Sequence, residues 1–261
     1  MSGEDGKVRL AVFKLSSCSG CQQQILDLGE DLLSVADKVE IAYFLEASSK
    51  TSPGPYDVAL IEGSVSTPHE AELVKKIRED SRIVVAVGTC ATYGGIQALR
   101  NWRNFDEVLA QVYPKTEWIK SLEKSSPVSD YIQVDYAVSG CPVNKLQLLS
   151  VLKQTLTGRR PYHRRESLCQ ECKRKGNVCV MVTQGVPCLG PIMTEGCGAL
   201  CPSYNRGCYG CVGPMIDPKP EALASRFEEL GLTKDEIALR LRSVSGWAEP
   251  VRRFLMRYER E

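Results

Sequence analysis

Along the first 157 residues, short runs of Val, Ile, Leu and Ala alternate with longer stretches whose apolar residues recur every three or four positions. The runs read as buried strands and the stretches as amphipathic helices. "VRLAVFKL" (8–15) is the first strand, followed by a helical pattern over "QQQILDLGEDLLSVADKV" (22–39). "VEIAYFL" and "DVALIEGSV" are the second and third strands, and "EAELVKKIRED" is the next helix. "RIVVAVG" (82–88) is a fourth strand, with a helical stretch near 104–112. "YIQVDYAV" (131–138) is a fifth, leading into the helix "KLQLLSVLKQTL". Such alternation predicts right-handed βαβ units and an α/β fold, a flavodoxin-like doubly wound parallel sheet.

The pattern breaks at "TGRRPYHRRESL" (157–168). From 169 to 214, Gly and Pro are frequent, periodicity is lost, and eight cysteines appear, so something other than an apolar core is expected to organise this segment. Helical spacing returns in the tail. There "TKDE" (233–236) fits a capping box with Thr233 as N-cap, and Ile237, Leu239, Leu241 and Phe254 are candidates to dock the helices. Three parts follow: a sheet domain over 1–157, a cysteine-rich loop domain over 158–218 and a C-terminal helical segment over 219–261.

With 33 Lys and Arg against 32 Asp and Glu, the net charge of +1 gives no bias toward nucleic acid or an anionic membrane surface. No apolar run approaches the roughly 18 residues of a membrane span. The opening residues lack a basic stretch leading into an apolar one, so a cytoplasmic location is expected. Twelve cysteines are then anomalous, because in a reducing compartment clustered thiols more often bind metal or carry redox chemistry than form disulfides.

Cys18, Cys21, Cys90 and Cys141 are far apart in sequence, yet each follows a predicted strand. Ligands of open parallel sheets bind beyond the carboxyl ends of the strands, so these four thiols are expected at one edge of one sheet. Gly or Pro stands close to each, in "SCSGC", "GTCATYGG" and "SGCP", where the chain must turn tightly. The other eight divide into Cys169, Cys172, Cys179, Cys188 and Cys197, Cys201, Cys208, Cys211, completing three tetrads with none left over. Tetrathiolate sites suit zinc or iron–sulfur clusters. Zinc has no redox role, and the first tetrad does not look like a zinc ribbon; three tetrads in one chain suggest a relay of redox centres.

"SSCSGCQ", "EGSVS", "VGTCATYGGI" and "VSGCPVNK", followed by "PCLGP", "GC" and "GCYGC", resemble the small subunit of NiFe hydrogenases over about residues 8–214. Within that family the likeness is to the cytoplasmic group, especially the delta subunits of bifunctional NADP-dependent hydrogenases, also called sulfhydrogenases. The resemblance implies three 4Fe–4S clusters. Cys18, Cys21, Cys90 and Cys141 would hold the proximal one, Cys197, Cys201, Cys208 and Cys211 the medial one, and Cys169, Cys172, Cys179 and Cys188 the distal one. It also implies a NiFe large subunit as partner, with diaphorase (flavin and NAD(P)) and iron–sulfur subunits beyond. No catalytic residue is expected here: the chain lacks paired C-x-x-C motifs near both ends, as nickel would need, and a strand–GxGxxG–helix fingerprint.

Periplasmic members resemble this chain but place a histidine where Cys169 stands and lack an equivalent of Cys201. Extra thiolates generally depress a cluster's potential, which suits exchange with nicotinamide or ferredoxin. Glu62, Thr89 and Thr92 are candidates to line the proximal site or bond its sulfurs. His69 reads as an ordinary helix-start residue and His163 as a non-ligand. Arg164, Arg165, Lys173, Arg174 and Lys175 form a basic zone near the distal set that could steer an anionic partner. Three rivals are a zinc-ribbon binding module, a single-cluster subunit of complex I and a stand-alone ferredoxin-like carrier.

Overall fold

The computed structural model describes residues 7–31, 38–162 and 166–260. They fall into two compact units, Met1–Tyr162 and His163–Glu261.

The first unit holds β1 (Val8–Lys14), α1 (Gly20–Leu26), β2 (Val39–Phe44), β3 (Tyr56–Glu62), α2 (Pro68–Glu79), β4 (Ser81–Val87), α3 (Gly88–Tyr93), α4 (Phe105–Val112), β5 (Tyr136–Val138) and α5 (Lys145–Leu156). The strands pair in the order β2-β1-β3-β4-β5, all parallel, the flavodoxin-like order that the sequence predicts. Central strands are apolar at nearly every position because both faces are covered. Ala11, Phe13, Ala59, Ile61, Val84 and Ala86 pack with Ala71, Val74 and Ile77 of α2 on one face. Leu10, Val12, Val58, Leu60, Val85 and Val87 pack with Ile25, Leu148, Val151 and Leu152 on the other.

Two expected elements are shorter than predicted. The helical pattern over 22–39 does not run on unbroken: α1 ends at Leu26, and Gly29, at φ 54°, turns the chain; residues 32–37 lie outside the described ones. The strand expected over 131–138 pairs only at Tyr136–Val138. Ahead of it, Asp135 N still donates to Val84 O at 3.0 Å, but its carboxylate takes the Val84 N–H at 2.8 Å and an Arg78 N–H at 2.6 Å, so the regular ladder goes no further. Tyr131, Ile132 and Val134 pack against the sheet instead of extending it. His69 lies in the first turn of α2, where Thr67 and Glu70 form a capping box.

The second unit contains α6 (Leu168–Arg174), α7 (Val180–Thr183), α8 (Leu200–Ser203), α9 (Pro220–Glu229), α10 (Lys234–Leu241) and α11 (Glu249–Tyr258). Contrary to the expectation of a segment without an apolar core, Leu168, Leu189, Ile192 and Met193 are all at most 2% exposed. The tail helices close on this segment. Ser245 Oγ donates to Gly210 O at 2.6 Å, and Gly210 sits against Leu189 and Met193 side chains. Thr233 and Glu236 form the predicted capping box, and Ile237, Leu241 and Phe254 are buried. Leu239 is not: it is 73% exposed, because the inward stripe of α10 runs through Ile237, Ala238 and Leu241.

Phe227, fully buried, and Leu239 separate core from surface in this unit. Phe227→Ala is expected to cost about 3–5 kcal/mol of stability, while Leu239→Ala stays within about 0.5 kcal/mol, both read as shifts in thermal or denaturant unfolding.

Candidate metal centres

At the carboxyl edge of the sheet, backbone hydrogen bonds stitch together the loops that carry the first four thiols. Leu15 N donates to Glu62 O at 2.7 Å beyond β1 and β3, and Thr89 N to Gly140 O at 2.9 Å beyond β4 and β5. Cys18 and Cys21 enter and begin α1, Cys90 lies in α3, and Cys141 follows β5. The β1–β3 pair is where the strand order reverses, the usual place for a ligand crevice.

These thiols face one another electrostatically. Burial first, and then the charges of Glu62, Cys90 and Cys141, push the Cys21 thiol up to about 12. Burial likewise takes Cys90 up to about 11, with Cys141, Cys18 and Glu62 adding repulsion. Cys141 is raised by burial and then by Cys18 and Glu62. Without a positive partner these groups stay protonated; a cation that draws them to thiolates must supply the compensating charge. The cradle is cut to their size. A Cβ on Gly88, whose φ is 83°, would lie 2.4 Å from Cys21 Sγ, and one on Gly95 would lie 2.6 Å from Cys90 Sγ. Only glycine leaves room for sulfur at both turns.

Glu62 is the last residue of β3, buried, and its Oε1 accepts the Cys21 N–H at 3.0 Å. Burial raises its carboxyl above the usual range, opposed by that N–H. The two threonines next to Cys90 engage backbone: Thr89 Oγ1 accepts from Gly140 N at 3.0 Å, and Thr92 Oγ1 donates to Gly88 O at 3.0 Å. Both thereby shape the turns that carry Cys90 and Cys141.

In the second unit, Cys169 and Cys172 lie on α6, whose N-cap Ser167 accepts the Cys169 N–H at 3.1 Å. Cys179 caps α7, and Cys188 is buried in the following loop. Burial raises the Cys169 thiol, and Cys188, Cys172 and Cys179 all press on it. Among the other four, Cys208 is raised first by burial and then by Cys188, Cys211 and Cys197; Cys197 is also raised by burial, with Glu171 and Cys201 adding to it. All twelve cysteines are free thiols. Among the described residues no three His, Cys, Asp or Glu side chains close on a point as tightly as one metal ion requires. Free, clustered cysteine thiols are the donors that zinc and iron–sulfur groups both take.

Several contacts around these thiols carried no signal in the sequence. Glu171, between Cys169 and Cys172, accepts N–H groups from Gly196 at 3.0 Å and Ala199 at 3.2 Å. Asn177 Nδ2 approaches Cys172 Sγ at 3.6 Å and donates to Ser203 Oγ at 3.0 Å. Cys208 N donates to Cys188 Sγ at 3.2 Å. Two of the five residues of the expected basic zone engage the chain itself: Arg174 pairs with buried Glu195, and Lys175 Nζ donates to Gly198 O at 3.0 Å. His163, Arg164 and Arg165 lie outside the described residues.

Residues 18–155 match the family of the NADH ubiquinone oxidoreductase 20 Kd subunit. The chain is 38% identical over 240 residues to sulfhydrogenase 2 subunit delta of Pyrococcus furiosus, covering 92% of this chain and all of that one. This chain belongs to the hydrogenase small-subunit branch of that family. It is also 36% identical to a vhu subunit of the F420-non-reducing hydrogenase of Methanocaldococcus jannaschii, over 79% of this chain and 82% of that one. Among solved structures it is similar to a chain of an NAD+-reducing NiFe-hydrogenase in the H2-reduced state. The TM-score is 0.56 at 31% identity, covering 60% of this chain and 95% of that one. As a hydrogenase small subunit, the chain is part of an oxidoreductase. The family match ends before Cys169, so the eight later cysteines lie beyond what the whole family shares with it.

Two substitutions test the anchoring geometry. Gly88→Ala is expected to displace Cys21 and lower the metal bound per chain, measured by elemental analysis. Glu171→Ala strands two amides and is expected to destabilise the second unit by about 1–3 kcal/mol, seen as a lower unfolding midpoint.

Proposed function

We propose that this chain is the electron-transfer small subunit of a hydrogenase, holding three 4Fe–4S clusters. The observation that supports the reading is twelve free thiols on loops and short helices, with Cys18, Cys90 and Cys141 acting on one another at the sheet edge and Cys172, Cys179 and Cys188 acting on Cys169 in the second unit. Cys18, Cys21, Cys90 and Cys141 anchor the proximal cluster. Cys197, Cys201, Cys208 and Cys211 anchor the medial cluster, and Cys169, Cys172, Cys179 and Cys188 the distal one. A cluster so bound supplies one-electron redox chemistry at potentials set by charge, hydrogen bonds to sulfur and exposure. The chain's own part is to hold the sulfurs, exclude water around Cys21, Cys188 and Cys208, and direct N–H groups at sulfur.

A NiFe large subunit is the partner expected at the proximal edge, as the likeness to a NiFe-hydrogenase chain supports. Support comes from apolar residues left bare on segments that leave the carboxyl edge of the sheet: Leu45 just past β2, Ile96 after α3, and Leu146 after Cys141, with Cys18 itself exposed. Exposed apolar residues and an exposed ligand on one edge suit a protein interface. On the acceptor side we favour a flavin and NAD(P) diaphorase module in the cytoplasm. The likeness to the NAD+-reducing enzyme supports it, as do the all-cysteine medial and distal sets, whose added thiolates depress potential. Among the described residues no helix is long and apolar enough to cross a membrane.

The reading is tested on the anaerobically purified chain by iron, zinc and acid-labile sulfide analysis with low-temperature EPR after dithionite reduction. About twelve irons and about twelve sulfides, with interacting S = 1/2 signals, are expected. A colourless, EPR-silent protein carrying stoichiometric zinc would overturn the reading in favour of a structural zinc module.

A further inference from the structure

Within the second unit, the two tetrads are not independent. Cys208 N–H points at Cys188 Sγ, 3.2 Å away, so an anchoring residue of one group hydrogen-bonds the anchoring sulfur of the other. Both residues are buried, at 5% and 8% exposure, so water does not compete for this contact. The neighbouring backbone repeats the pairing, with Leu189 N donating to Cys208 O at 3.2 Å. Other links between the two groups end differently. Glu171 joins a carboxylate to amides, and Asn177 reaches from Cys172 to a serine hydroxyl. The Cys208–Cys188 contact instead runs directly from one cysteine anchor to another.

What allows the approach is Gly207. A Cβ there would lie 2.0 Å from Pro187 O, 3.0 Å from Pro187 C and 3.3 Å from Cys188 Cα. All three are backbone atoms, which cannot swing aside as a side chain can. Gly207 is not in the left-handed region, so close approach alone excludes a larger residue.

We propose that Gly207 is a positioning residue for electron exchange between the two groups, and that the Cys208 N–H to Cys188 Sγ bond is the route coupling them. The path runs Sγ–Cβ–Cα–N–H of Cys208 and crosses one hydrogen bond to sulfur. One electron passing along it oxidises one centre and reduces the other, with no bond made or broken and no proton moved. The same bond stabilises the more negative, reduced state of the Cys188 centre, because an N–H directed at a ligating sulfur offsets its charge. The proposal rests on the reading that both tetrads hold clusters.

The test is Gly207→Ala in the full chain, with iron and sulfide content, redox titration and EPR at two microwave frequencies. Iron unchanged, a lower midpoint potential for the Cys188 centre and a smaller spin–spin splitting between the two reduced centres, with the exchange part lost, are expected. Iron unchanged with potential and splitting also unchanged overturns the proposal. So does an unmutated chain whose two reduced centres show no splitting. If Gly207→Ala fails to retain iron, an ester linkage at 207–208, which removes the N–H and leaves the thiol, takes its place and is read in the same way. An unmutated chain without iron and sulfide is a different failure, that of the cluster reading itself.

Discussion

Four sulfur anions cannot share a small, dry space unless a positive centre holds them there. Burial removes the hydration that would stabilise each thiolate, and each neighbour of like charge makes the next ionisation harder. This constraint acts at all three tetrads, where burial is the first cause of every raised thiol and neighbouring cysteines add to it. Glycines, amides and chain turns around the sulfurs make sense as consequences. They leave volume for a bulky inorganic group and bring partial positive charge to it.

The two units meet the constraint by different means. In the first, a parallel sheet covered on both faces supplies rigidity, and the thiols stand on loops leaving its carboxyl edge. Their positions are set by the register of strands whose pairing does not depend on the sulfur. In the second, short helices and loops carry the thiols on a small aliphatic core around Leu189 and Met193. The tail helices close it through Ser245 and Gly210, and Glu171, Asn177 and Arg174 tie one ligand segment to the next. A fold of this kind has few long-range backbone ladders, so side-chain contacts to particular amides do the positioning.

Function follows from this division. The sheet edge offers an exposed thiol and, on segments leaving it, bare apolar residues, a surface suited to a catalytic partner. The second unit brings two ligand groups within one hydrogen bond of each other while keeping water out.

Much of this was legible in the chain itself. Unbroken runs such as "RIVVAVG" (82–88) could belong only to strands covered on both faces, and cysteines following three of the strands placed four thiols at one edge. The Thr233–Glu236 box was legible too, because capping is local. Pattern alone misled where a single residue redirected the backbone: Asp135 shortened β5, and Gly29 turned the chain after α1. It also missed the core under the cysteine-rich loops, since Leu168, Leu189, Ile192 and Met193 keep no fixed period. Strand order was thus determined by residue type and spacing, which are properties of the sequence. The contact of Cys208 with Cys188, the room left at Gly88 and Gly207, and the amides gathered by Glu171 were decided only by the tertiary structure. They depend on approaches of a few ångströms between segments whose spacing along the chain carries no periodic signal.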